Sequence, residues 1–215
     1  MQSIKLALVA AAAATAATLL SPAMAQGVSY NLGVTTANTD DVRGDDFRPS
    51  LNLGADYDFG NGAYTGAAFT TGKYAEGAKE RGEIVLSAGY GQELSNGFFY
   101  DLNASRYIRS KTDTNYNEMG LTVGYGPVAF AYYKGFDTDG FISKSDSYEV
   151  MYTYGLTDAL EAGLTVTKVR DDDKNWSSSL DYELAFSYDL GDNMTATAAI
   201  NKAKPKFVLG LSKSF

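Results

Sequence analysis

With 215 residues, 26 acidic against 18 basic side chains and a net charge of −8, this chain is a poor partner for nucleic acid, whose phosphates need a basic face. It has no cysteine and no histidine, which removes disulfide cross-links, the usual zinc ligands and the usual general base of a catalytic triad. Tyr 16, Phe 11 and Gly 22 against Pro 4 is instead a strand-rich composition, too aromatic for a disordered chain.

Residues 1–25 read as a secretory signal peptide rather than as fold. Lys5 gives a positive n-region, Leu6 to Leu20 an apolar h-region, and Ala23-Met24-Ala25 a small-residue cleavage site. The apolar run is too short for a comfortable helical span of about 20 residues. Residues 26–215 then hold one domain, and no later stretch is long and apolar enough for a membrane helix.

From Val28 the chain alternates at period two, the spacing of a strand whose successive side chains face opposite ways. Val28, Tyr30, Leu32 and Val34 oppose Ser29, Asn31, Gly33 and Thr35, and a polar connection is expected over Ala37–Asp46. The second strand, Phe47–Phe59, sets Leu51, Leu53 and Tyr57 against Ser50, Asn52 and Asp56, and Gly60-Asn61-Gly62 turns it. Ala63–Thr71 is a weakly patterned third strand, and Gly72–Arg81 is again long and charged. Ile84, Leu86, Ala88 and Tyr90 mark the fourth strand, Ser95-Asn96-Gly97 a turn, and Phe98–Ile108 the fifth. After the polar residues Arg109–Asn115, the sixth strand carries Met119, Leu121, Val123 and Tyr125 on one face, and Gly126-Pro127 turns it.

Val128–Phe136 is apolar on both faces, so its register stays open, and Asp137–Asp146 is the next polar connection. Tyr148, Val150, Tyr152 and Tyr154 mark strand eight, Leu156–Ala159 a turn, and Leu160, Ala162, Leu164 and Val166 strand nine. Asp171–Ser177 connects to strand ten with Leu180, Tyr182, Leu184, Phe186 and Tyr188; Gly191-Asp192-Asn193 turns it into strand eleven. Lys202–Lys206 leads to the closing strand Phe207–Phe215.

Long charged connections alternate with short Gly/Asn-rich turns across these strands, as in an outer-membrane barrel with an even strand number. The expected fold is therefore all-β: a transmembrane, up-and-down antiparallel barrel of about twelve strands, closed so that no edge is left unpaired in lipid. Strands running toward the short turns end in outward aromatics, Phe59, Tyr90, Tyr125, Tyr154, Tyr188 and Phe215, which together suit an interfacial girdle.

The segments Ser29–Thr36, Ala55–Gly62, Gly89-Tyr90 with Leu94–Gly97, Tyr125-Gly126-Pro127 and Leu211–Phe215 also resemble the TorF family of Gram-negative outer-membrane proteins assigned as porins. The resemblance implies an outer-membrane location, a pore, and reading of the terminal strand with Phe215 by the barrel-assembly machinery. That family carries an aromatic, Arg-Gly-rich segment after its first strand, of which only Val42-Arg43-Gly44 stands here.

Parity sends Arg48, Asp56, Asp58, Glu83, Asp101, Glu118, Glu149, Glu161, Asp181, Glu183 and Asp189 to the lumen. A carboxylate-lined pore favours cations. With strands about 4.8 Å apart and a tilt near 40°, twelve strands give a backbone radius of roughly 12 Å, a channel for ions and small solutes. Carboxylate pairs such as Asp56/Asp58 and Asp181/Glu183 share a face, but a wetted wall explains them without catalysis, so no enzyme, cofactor or metal is expected. Asp171, Asp173 and Asn175 start a calcium-loop spacing that Trp176 breaks where glycine is needed.

Outer-membrane lipid and lipopolysaccharide are the expected surroundings, with Lys202, Lys204 and Lys206 near lipid phosphates. Lys213 falls on the lipid side and can snorkel to the headgroups. Two other readings stay open. One is a closed barrel with a structural or surface-interaction role, its lumen filled by Tyr64, Phe99, Tyr107 and Tyr133. The other is a soluble periplasmic β-protein.

Overall fold

A computed structural model describes residues 27–41, 44–71, 82–109, 115–137, 143–171, 178–202 and 207–215. They form twelve strands: β1 Gly27–Asp41, β2 Gly44–Asp58, β3 Ala63–Thr71, β4 Gly82–Glu93, β5 Phe98–Arg109 and β6 Tyr116–Tyr125 come first. β7 Val128–Asp137, β8 Ser143–Gly155, β9 Leu160–Asp171, β10 Ser178–Gly191, β11 Met194–Asn201 and β12 Phe207–Ser214 complete the set. No helix occurs among the described residues.

Each strand pairs antiparallel with its neighbours in sequence, and β12 pairs with β1 from Asn31↔Ser214 to Ala37↔Val208, so the sheet closes into a barrel. The ladder continues one residue further at the seam, where Phe215 N–H donates to the Tyr30 carbonyl at 2.9 Å and Tyr30 N–H to the Phe215 carbonyl at 3.3 Å. Closure satisfies the backbone groups that an open edge would expose.

The outer side is apolar because the alternation directs it so. Leu32, Val34, Leu53, Ile84, Leu86, Leu102, Leu121, Phe130, Val150, Leu164, Leu184 and Leu209 are all exposed, whereas Val85, Tyr107, Ala129, Ala131, Met151, Ala185 and Ala199 are buried. The open register of the seventh strand is thereby resolved: Val128 and Phe130 face out, Ala129 and Ala131 in.

Short connections close one end. Asp192 and Asn193 make a two-residue hairpin with φ of 52° and 58°, the left-handed region that a primed turn requires and that Asp and Asn tolerate. At Ser95-Asn96-Gly97, Asn96 Oδ1 accepts from Phe98 N–H at 3.0 Å, and Gly97 carries the φ of 83°.

One expected loop is absent. Ala37–Asp46 read as a connection, but β1 and β2 stay paired as far as Asp41↔Gly44, leaving only residues 42–43 between them. Pairing of β1 with β12 stops at Ala37, so Asn38–Asp41 pairs with β2 alone, as a two-stranded ribbon beyond the closed sheet. A two-stranded ribbon keeps its hydrogen bonds without requiring an apolar alternation, because pairing is made by backbone groups and alternation by what the faces pack against. β8 also starts earlier than its hydrophobic pattern, at Ser143.

Following the pairs once around returns to β1 displaced by about 16 residues, which with twelve strands corresponds to a tilt near 43° and a radius of roughly 12 Å. Correcting each residue for this stagger puts Phe59, Tyr90, Tyr125, Tyr154, Tyr188 and Phe215 within about 7 Å of one level along the barrel axis. All six are exposed. Lys213 Nζ lies 5.4 Å from the Phe215 ring centre.

Candidate channel interior

The interior is charged and aromatic, and its charges are engaged. On β4, Glu83 is 1% exposed and accepts from Arg109 Nε of β5 at 2.7 Å. The Arg109 guanidinium carbon lies 5.0 Å from the centre of the Tyr116 ring, which stacks at 4.3 Å and 5° on Tyr107. Tyr107, itself 2% exposed, directs its hydroxyl at Glu118 Oε1, 3.2 Å away. Strands β4, β5 and β6 thus hold a continuous chain of carboxylate, guanidinium, two stacked rings and a second carboxylate.

A second group lies nearer the short turns. The Tyr64 hydroxyl of β3 reaches across β4 to both oxygens of Asp101, at 2.9 and 3.1 Å, and Asn103 Nδ2 donates to the same carboxylate at 2.8 Å. The Tyr64 ring lies against Gly89 and the Phe99 ring against Gly124, in space that a Cβ would occupy. Glycine lets these rings lie along the wall instead of standing across the lumen. Phe99 and Tyr133 also pack on Ala129, Ala131 and Met151, a buried patch on β7 and β8. On β8, Glu149 Oε1 accepts from Thr167 Oγ1 at 3.4 Å.

The remaining wall is more loosely tied. Asn31 Nδ2 donates to Asp56 Oδ2 at 3.4 Å, while Asn52 links Thr35 and Thr70 across three strands at 3.3 and 3.0 Å. Asp181 and Glu161 are half-buried, and Glu183 is 8% exposed. The Asp181 carboxylate takes its own following N–H, that of Tyr182, at 2.8 Å.

Two of the predicted lumen residues sit at turns. Asp58 Oδ1 accepts from Gly60 N–H at 2.6 Å and Asp189 Oδ1 from Gly191 N–H at 2.8 Å, each fixing the start of a hairpin. Asp189 is exposed. Arg48 lies in β2 with its backbone opposite Ala37.

Arg109 is an interior cation beyond the sequence expectation, which ends the fifth strand at Ile108 and starts a polar connection at Arg109. It shares odd parity with Asp101 and Tyr107, so extending the strand by one residue would have found it. Residues 1–26, the Val42-Arg43 pair, the calcium-like spacing at Asp173, Asn175 and Trp176, and Lys204 and Lys206 lie outside the described residues. Lys202 is described: its Nζ donates to the Leu180 carbonyl at 2.9 Å and lies 5.8 Å from the centre of the Tyr182 ring.

No family model matches the chain, and no curated protein matches it in sequence. Its architecture nevertheless has solved counterparts. The KdgM porin superposes with a TM-score of 0.65 at 12% identity, over 86% of this chain and 99% of that one. The NanC porin gives 0.57 at 6% identity over 86% and 98%, and Salmonella typhi OmpF in complex with daunomycin gives 0.50 at 8% over 88% and 97%. At these identities the likeness is one of fold, and the fold is that of a porin barrel.

Proposed function

We propose that the chain is a porin of a Gram-negative outer membrane, a narrow passive channel for ions and small solutes with a lean toward cations. One observation carries the reading: the barrel is closed and inverted, with its large apolar side chains exposed and its carboxylates inside. A soluble barrel would do the reverse, because burying apolar area at about 25 cal/mol per Å² is what stabilises it in water. The likeness to the KdgM and NanC porins supports the same reading. So does the common level of Phe59, Tyr90, Tyr125, Tyr154, Tyr188 and Phe215, which suits an aromatic girdle at the interface.

In this reading residues 1–25 are the export signal, the terminal strand is read by the barrel-assembly machinery, and the TorF family is the proposed kinship. Arg48, Asp56, Asp58, Glu83, Asp101, Glu118, Glu149, Glu161, Asp181, Glu183 and Asp189 form the lumen wall. Cation preference follows from this excess of carboxylates over Arg48 and Arg109, and no catalytic role is assigned. The test is single-channel recording in a planar bilayer under a salt gradient. Discrete steps with a reversal potential displaced toward the cation equilibrium are expected, and their absence would overturn the pore.

A second reading, a closed structural barrel, is favoured by the packing of Phe99 and Tyr133 on the Ala129, Ala131 and Met151 patch and by the Tyr107/Tyr116 stack. Flux of a small sugar from liposomes decides between the two, since a structural barrel passes none.

A further inference from the structure

The outer surface is as asymmetric in charge as the interior. Of the residues whose side chains the structure describes, those on the outward parity that carry positive charge are Arg106 on β5, Lys134 on β7, Lys168 and Arg170 on β9, Lys202 after β11, and Lys213 on β12. Corrected for strand stagger, the first five fall within about 8 Å of one level, roughly 20 Å above the aromatic ring of Phe59, Tyr90 and Phe215. They occupy successive odd strands over about half the circumference, at the end of the long connections. Of the side chains described on this arc, the outward carboxylate is Asp146, which receives Lys134 Nζ at 3.0 Å and the Tyr132 hydroxyl at 2.8 Å.

Among the side chains described on this arc, five cations against one carboxylate is a strong bias in a chain whose net charge is −8. Tyr rings lie at the same height: Tyr132 and Tyr148 pack at 5.1 Å, and Tyr182 lies beneath Lys202. Long basic side chains over aromatic rings, at the upper limit of an apolar band, suit an interface where phosphate oxygens meet hydrocarbon.

We propose that this arc binds the phosphate groups of lipid headgroups, in the leaflet that meets the long-connection end. The inference rests on the membrane reading above and deepens it by assigning the lipid contact to one arc of five residues. Charge complementarity selects the occupant, since each juxtamembrane Lys or Arg attracts an anionic surface by about 1 kcal/mol.

The test uses the full barrel, washed in detergent after incubation with a bis-phosphorylated glucosamine glycolipid or the same glycolipid freed of phosphate, with retained lipid counted by native mass spectrometry. The unsubstituted protein is expected to retain the phosphorylated form alone, and K134Q/K168Q/K202Q to lose at least fivefold. K213Q, at the opposite end, should retain it fully. Equal retention by the triple variant, or equal retention of the phosphate-free lipid, overturns the proposal. Displacement by free inorganic phosphate at equimolar concentration would overturn the lipid as the source. Heat-shifted gel mobility reports folding of each variant. Should the triple variant not fold, K168Q and K202Q decide singly, each with about a twofold loss expected and an unchanged level overturning the proposal. Conductance is read separately, so a barrel that binds lipid but passes no current refutes the pore and leaves the arc standing.

Discussion

Glu83 and Arg109 place a carboxylate and a guanidinium where neither can be lost alone. The Glu83 side chain is fully buried while Arg109 keeps 24% exposure, so Arg109→Ala strands a buried charge. Destabilisation by about 3 kcal/mol is expected, read as a fall in the urea concentration at which heat-shifted gel mobility is lost. Glu83→Gln/Arg109→Met, which removes both charges, should recover most of that loss. The single Arg109→Ala change also deletes one of the few interior cations, and its reversal potential should move further toward cation selectivity. Gly89 sets a different constraint. A valine there meets the Tyr64 ring, which must leave the wall and give up Asp101. Gly89→Val is expected to lower single-channel current and to cost about 1–3 kcal/mol of stability, the ordinary range for overpacking.

At the scale of strands and turns, the Asp192-Asn193 hairpin concentrates its strain in two residues with positive φ. Asn193→Val should destabilise by about 1–2 kcal/mol, since a β-branched residue pays the full steric cost in that region, whereas Asn193→Gly should be neutral or mildly stabilising. Thermal midpoints of the two variants check the sign. How far these elements could be read from residues alone depends on what each face touches. β1, β4, β6 and β10 announce themselves because one side meets hydrocarbon and the other a polar lumen, which enforces strict alternation. β7 hides its register because Ala129, Ala131 and Tyr133 are inward yet apolar, part of a patch that is packed and not wet. The ribbon of Asn38–Asp41 with Asp45 and Asp46 hides altogether, because its pairing uses backbone groups that every residue carries and so leaves no mark on composition. Candidate interior residues were legible as a parity class. Their partners were not: Tyr64 meets Asp101 over an intervening strand, a contact fixed by side-chain reach and stagger.

The whole molecule sorts its charge by surface. Among the described side chains, carboxylates collect inside apart from Asp146, cations collect outside at one end apart from Arg109 and Lys213, and the band between them is apolar. If the inner carboxylates set selectivity, D101N/E118Q/E149Q should reduce the cation-to-anion permeability ratio several-fold while leaving the barrel folded, because each amide keeps the shape of the carboxylate and one oxygen that still accepts, from Tyr64 and Asn103, from Tyr107 and from Thr167. Reversal potentials at two salt concentrations check this. An unchanged ratio would move the origin of selectivity away from β5, β6 and β8. The pairing of Tyr30 with Phe215 has a further consequence, and it is one of time. The contact that removes the last edge joins residues almost a full chain length apart, the costliest loop the sequence can close and one that no local nucleus supplies. Until it forms, β1 and β12 are both open strands beside exposed hydrocarbon-facing side chains, a species prone to aggregate in water. Closure is therefore expected late in assembly, and a chain lacking all of β12 should accumulate as an unclosed sheet, seen as rapid cleavage in limited proteolysis, whereas removal of Phe215 alone, which costs two backbone bonds, should leave a closed barrel.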